Sequence, residues 1–215
     1  MSHYLDLDNW SRRELFDFFI GYSNPYFNVC TQMDVTELHE YVSDRPGVKI
    51  SAAIHYFALR AANEVEQFRY RLRNDGVFVY DVIHGGTTVL MPNESFCYAY
   101  FDYQRDFEAF TRSMSNAVEE IRNGDGHLRP TMRDDVIYHT TLPWISFTSF
   151  SHARTRGRGE SIPPLVFGKF TRENSRLLMP LSVEVHHALV DGIHVGKFLS
   201  ILESALADPE GFIES

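Results

Sequence analysis

The 215 residues are 44% apolar, enough for a sizeable core, and are most simply one domain over 1–215 with no appended module. A formal net charge of −9 argues against nucleic acid or an anionic membrane as partner, since both need a positive surface. Two cysteines, Cys30 and Cys97, make no disulfide framework; with no signal-like N-terminus and no apolar run of about eighteen residues, a soluble, cytosolic protein is expected.

In chain order, Ser11 followed by Glu14 predicts a capping box. Leu15, Phe16, Phe18 and Phe19 give the helix behind it a broad aromatic face, ended by Ser23-Asn24-Pro25. A second helix is predicted from about residue 48 to 72, with Ile54, Phe57, Ala61, Val65 and Phe68 on one stripe. Runs rich in Val, Thr and aromatics at 77–82, 87–90 and 96–101 read as strands. A third helix at about 104–122 places Phe107, Phe110, Met114, Val118 and Ile121 at core spacing, and Asn123-Gly124-Asp125-Gly126 closes it as a turn. Further strands are predicted at 136–141, 145–150, 165–170 and 177–187. The last helix then carries Val195, Phe198, Leu199, Leu202 and Leu206 until Asp208-Pro209 stops it. The fold class is α+β, a mixed β-sheet packed with helices.

The chemistry concentrates in His186-His187-Ala188-Leu189-Val190-Asp191-Gly192, which sets an imidazole and a carboxylate four residues apart at a strand-to-helix junction. Period two puts Leu181, Val183, Val185 and His187 on one face and Ser182, Glu184 and His186 on the other, so the adjacent histidines are predicted to look in opposite directions. A neutral imidazole can accept a proton, which makes His187 a candidate base and Asp191 its orienting charge. The plainer reading, a core histidine with a solvated neighbour and Asp191 as a helix N-cap, is about as common for such a motif. A metal centre is not expected, because histidines on opposite faces do not share one ion and no Cys or carboxylate sits at ligand spacing nearby. The segment His152 to Gly159, with Arg154, Arg156 and Arg158, offers a basic patch for a phosphorylated ligand, although such Arg/Gly loops are usually solvated surface.

HHxxxDG is shared by several acyl-CoA-dependent acyltransferases, and with Met179-Pro180-Leu181 the stretch from His186 to Gly196 resembles the chloramphenicol acetyltransferases in particular. Asn9 to Phe16 is similar to that family's N-terminal signature, Leu142 to Phe150 to its central one, and Phe167-Gly168-Lys169-Phe170 to its coenzyme strand. The blocks fall in family order over almost the whole chain. The resemblance implies direct O-acetylation of chloramphenicol by acetyl-CoA, bound as co-substrate with no permanent cofactor. It also implies a compact homotrimer with active sites between subunits. His187 would be the general base, and Asp191 would pair with Arg12 to hold the loop that orients it. Thr140, four residues before Trp144, would give the oxyanion-stabilising hydroxyl. Lys169 and Lys49 would lie near coenzyme phosphates and Phe170 against adenine. In the acceptor pocket Phe27 and Phe96 keep aromatic positions, whereas Phe19, Ser23, Tyr98, His152 and Val166 depart from the family's residues. Such changes can alter which hydroxyl compound fits, so the same chemistry on another hydroxylated small molecule is the alternative. The catalytic core of a 2-oxo-acid dehydrogenase acyltransferase shares the histidine motif but would carry lipoyl and binding modules that 215 residues do not accommodate. A non-catalytic scaffold would not be expected to retain His187, Asp191 and Arg12 together.

Overall fold

The computed structural model describes residues 1–74, 76–124, 132–153 and 160–215. A short strand β1 (His3–Tyr4) leads to α1 (Arg13–Ile20). The capping box predicted at Ser11 does not form: Arg12 is the N-cap and makes no side-chain cap bond, since a guanidinium has no acceptor to offer the first-turn amides, and its donors are engaged far along the chain. The aromatic face of α1 is split, with Phe16 in the core and Leu15 and Phe18 exposed.

Sequence reading missed the next two elements, β2 (Tyr26–Asp34) and α2 (Thr36–Ser43). Strand β2 is an edge strand, half-buried along most of its length, so its alternation is weak. Helix α2 has only Leu38 and Val42 to bury, with the Asp34 carboxylate accepting from the Thr36 amide at 3.0 Å just before it.

Helix α3 (Ile50–Glu64) is nearly buried on all sides and stops eight residues short of the predicted end. Asn63 ends it: its amide side chain donates to the Leu59 and Ile83 carbonyls and accepts from the Ile83 amide at 2.9 Å. The predicted stripe continues to Val65 and Phe68 through a short 3-10 turn into β3 (Tyr70–Arg73). There Arg71, wholly buried, donates to the carbonyls of Phe68, Tyr70, Asp134 and Val136. The bonds to Asp134 and Val136 span 63 and 65 positions, which a local period cannot register.

β4 (Gly76–Val79) pairs with β1 and β3 in a small sheet, and β5 (His84–Leu90) forms a hairpin with β6 (Phe96–Phe101). α4 (Phe107–Asn123) starts on an Asp106 cap that accepts from the Ala109 amide at 2.6 Å. The turn predicted after it lies partly outside the described residues. β7 (Val136–Leu142), β8 (Pro164–Gly168), β9 (Thr171–Glu173) and β10 (Arg176–His186) follow. α5 (Gly192–Ala207) ends at Asp208, and Pro209 then opens α6 (Pro209–Glu214), consistent with the fixed φ of proline at a first helical position.

The predicted strand at 145–150 is a loop instead. It lies flat on the sheet: the Lys169 backbone amide donates to the Ile145 carbonyl at 2.8 Å, and a Cβ at Gly168 would stand 2.9 Å from the Phe147 ring and 3.0 Å from the Ile145 carbonyl. Backbone and ring therefore occupy the space another strand's side chains would need.

The main sheet runs β2-β10-β8-β7-β5-β6, with β9 on β10 and with β5, β7 and β8 parallel. Leu165, Val183 and Val185 join α3 and α5 in one core, so one face of the sheet is the helix face. The opposite face carries a cross-sheet row in which Tyr98 is paired with Thr88, Thr140 with Val166, and Val166 in turn with Ser182.

Candidate active site

β10 ends at His186, and the histidine pair separates at once. His186 is buried edge-on to Tyr26, and its Nδ1 accepts from the Ala188 amide at 3.2 Å. His187 turns out of the sheet, its amide donating to the Pro25 carbonyl at 2.7 Å. Its ring stacks on Phe19, with centroids 3.9 Å apart and planes 10° from parallel, and lies 4.7 Å from the Phe27 ring.

The turn that follows is clamped by Arg12. Nε and Nη2 of Arg12 donate to the two carboxylate oxygens of Asp191 at 2.6 and 2.5 Å, while Nη1 and Nη2 reach the carbonyls of Ala188 and His187 at 2.6 and 2.9 Å. Four charge-assisted bonds thus fix the backbone on which the imidazole rides. Asp191 also stands at the N-cap of α5, where its amide donates to His194 Nδ1 at 2.9 Å. Burial raises the Asp191 pKa, but the hydrogen bonds and charge of Arg12 outweigh it and hold the carboxyl below its ordinary 3.8.

His187 Nδ1 lies 3.1 Å from Asp191 Oδ1 but makes no aligned hydrogen bond with it, and it is closed to solvent. The carboxylate acts on the ring as a nearby charge. With the ring a third exposed, Nε2 is the nitrogen left for an acceptor to reach.

Thr140 is elsewhere. His139 packs on His55 of α3, so Thr140, one residue on, faces away from the helices. In the cross-sheet row it is level with Ser182, and His187 lies five positions beyond Ser182, about 16 Å further along at 3.3 Å per residue. One tetrahedral centre cannot touch both groups of a single chain.

The acceptor residues divide the same way. Phe19, Phe27 and the exposed Ser23 belong to the His187 side. Phe96 and Tyr98, edge-to-face at 5.6 Å, lie on the Thr140 side together with Tyr138, whose ring is 6.5 Å from that of Tyr98. Val166 is wholly buried between Thr140 and Ser182 and so shapes that wall from behind instead of touching an acceptor. His152 lies edge-on to Phe150 at 5.0 Å, and Arg154, Arg156 and Arg158 fall outside the described residues.

Lys169 and Phe170 do come together, on the wall of a cavity of about 340 Å³ between the start of α3 and the ends of β7 and β8. Lys49 caps α3 next to the lining residues Ile50 and Ser51, where it meets Glu119 at 3.9 Å in an exposed pair of little energetic weight. The cavity also contains three polar residues to which sequence reading gave no role, Ser51, His55 and Thr141. The only signal for them was an imidazole interrupting the apolar run of α3.

The architecture is that of the coenzyme-A-dependent acyltransferases. A dihydrolipoamide acetyltransferase of Azotobacter vinelandii shares this fold with a TM-score of 0.67 at 19% identity, over 94% of this chain and 90% of that one, a likeness of fold alone. The chain belongs to the chloramphenicol acetyltransferase family, whose model matches residues 2–203. A chloramphenicol acetyltransferase of Streptomyces acrimycini is 31% identical over 95% of this chain and 94% of its own length, and one of Proteus mirabilis 26% over 93% and 92%. A solved chloramphenicol acetyltransferase superposes with a TM-score of 0.84 at 27% identity, covering 96% of this chain and 100% of that one.

Proposed function

We propose that this chain is, as one catalytic unit, an acetyl-CoA-dependent O-acetyltransferase that inactivates chloramphenicol. The observation that carries the reading is the Arg12–Asp191 clamp holding His187 with one ring edge open. The acceptor hydroxyl gives its proton to His187 Nε2 as its oxygen attacks the thioester carbonyl. The Thr140 hydroxyl donates to the oxyanion of the tetrahedral intermediate. As the C–S bond breaks, the imidazolium returns the proton to the coenzyme sulfur, so the acetyl group passes directly and no acyl-enzyme forms.

The separation of His187 from Thr140 within a chain supports a site shared between copies, the His187 side of one meeting the Thr140 side of the next, and the family resemblance favours a homotrimer as that assembly. Lys169, Phe170 and Lys49 are assigned to the coenzyme. Among the described residues no helix is long and apolar enough to cross a membrane. We assign the protein to the cytosol, where the thiols of Cys30 and Cys97 stay reduced.

Thiol release from acetyl-CoA, followed with chloramphenicol and then with a panel of other alcohols, tests the reading, and sedimentation tests the trimer. No turnover of chloramphenicol with brisk turnover of another alcohol would transfer the assignment to that acceptor. Thr140→Val is expected to lower kcat by about 10²- to 10³-fold, the usual cost of one oxyanion donor, and Thr140→Ser to keep most of it. Equal rates for the Val and Ser variants would remove Thr140 from the mechanism. Tyr98→Ala is expected to shift KM for chloramphenicol and leave KM for acetyl-CoA alone, because Tyr98 and the Lys169 cavity lie on different parts of the sheet. A variant altered equally toward both substrates would refute this placement of Tyr98.

A further inference from the structure

Helix α3 is buried on nearly all sides, and strand β7 turns Ile137 and His139 toward it, so each element sets an imidazole into the core. His55 is 2% and His139 1% exposed, with ring centroids 4.7 Å apart and planes at 79°. Phe101 and Phe167 flank them. Burial pushes His55 down to about 3, and burial together with His55 pushes His139 well below the ordinary 6.5, so both rings are neutral. A neutral imidazole offers one donor and one acceptor. Among the described residues His55 Nδ1 and both nitrogens of His139 have no hydrogen-bond partner, and His55 Nε2 has only the Thr141 hydroxyl at 3.5 Å, the outer limit for such a bond. Buried groups left so are costly, and unpaired ones in a native protein call for an explanation.

For His55 the cavity beside it gives one; His139 lies behind His55 and is not part of the wall. His55 and Thr141 line the same space as Lys169 and Phe170, and most of the remaining wall is apolar, from Ile54, Phe167 and Met179 among others. We propose that His55 and Thr141, backed by His139, form a polar floor that hydrogen-bonds a neutral donor-and-acceptor group of the coenzyme, either the purine edge or an amide of its pantetheine arm. The inference rests on the coenzyme reading of this cavity and adds a recognition element to it. An ionised group is excluded at this floor, because neutral rings offer no counter-charge for its desolvation. Phosphate is left to Lys169.

The test uses the full-length protein, wild type and the variants His55→Leu, Thr141→Val and His55→Gln. Binding of coenzyme A, of adenosine 3′,5′-bisphosphate and of pantetheine is measured by calorimetry, and melting is followed without ligand. His55→Leu is expected to weaken coenzyme A by about tenfold, with the loss repeated for one half-molecule and not the other, which identifies the group on the floor. Thr141→Val should weaken the same half, and His55→Gln, with donor and acceptor restored, should recover part of the loss. The ligand-free melting temperature of His55→Leu should rise by a few degrees, since an unpaired buried imidazole is replaced by a hydrocarbon. Unchanged coenzyme A affinity in His55→Leu overturns the proposal, whatever the melting temperature does. Wild-type protein that binds none of the three probes overturns the coenzyme reading itself and this inference with it.

Discussion

Replacing His187 with alanine is expected to lower kcat/KM by at least about 10²- to 10⁴-fold, the usual contribution of a positioned base, while coenzyme A still binds. The two effects separate because the side chain belongs to neither the cavity nor its walls: His187 is held by Phe19, Phe27 and the Pro25 carbonyl, whereas the cavity is lined from α3, β7, β8, the residues just after those two strands, and Met179 near the start of β10. His186→Ala should act differently, since His186 is buried against Tyr26 and supports the Ala188 amide, so its loss falls on stability. Initial rates with each substrate varied, together with coenzyme titrations, decide between them. Near-wild-type turnover in His187→Ala beside an inactive but folded His186→Ala would move the base to the other histidine.

What the sequence revealed of this site follows from how local its causes are. Period two along 181–186 and helical spacing after Gly192 are properties of neighbouring residues, and both elements appear near where expected, but β10 ends at His186, so His187 turns out of the sheet instead of continuing the apolar face of Leu181, Val183 and Val185. The His187–Asp191 juxtaposition is likewise an i,i+4 relation across a tight turn. The Arg12 contribution spans 179 positions and became visible only through resemblance to a family. The same distance effect explains the errors: α3 ends where Asn63 bonds Ile83, and 145–150 is a loop because Gly168 lets it lie on the sheet. His55 and His139 belong to different elements, so no spacing rule could pair them.

Arg12→Ala is expected to cost stability and rate together. The guanidinium is 10% and the Asp191 carboxylate 23% exposed, so removing one partner leaves a mostly buried charge without compensation, at about 3 kcal/mol, the lower end for buried pairs. The rate falls because the carbonyls of His187 and Ala188 lose their donors, freeing the turn that aims the imidazole. Arg12→Lys should rescue little, since a single ammonium cannot serve two carboxylate oxygens and two carbonyls at once. The pair also sets an acid limit. The folded pKa of Asp191 is below 3.8, so its contribution is full above that value and disappears as pH falls through the folded one. Asp191→Asn should therefore be less stable than wild type at neutral pH, and the gap should narrow as pH falls below about 3.8. Denaturant melts of wild type, the single variants and the double variant Arg12→Ala/Asp191→Asn close a cycle that isolates the coupling. Additive losses in that cycle, or an Arg12→Ala enzyme of normal rate and melting point, would mean that the clamp neither stabilises the turn nor orients the base.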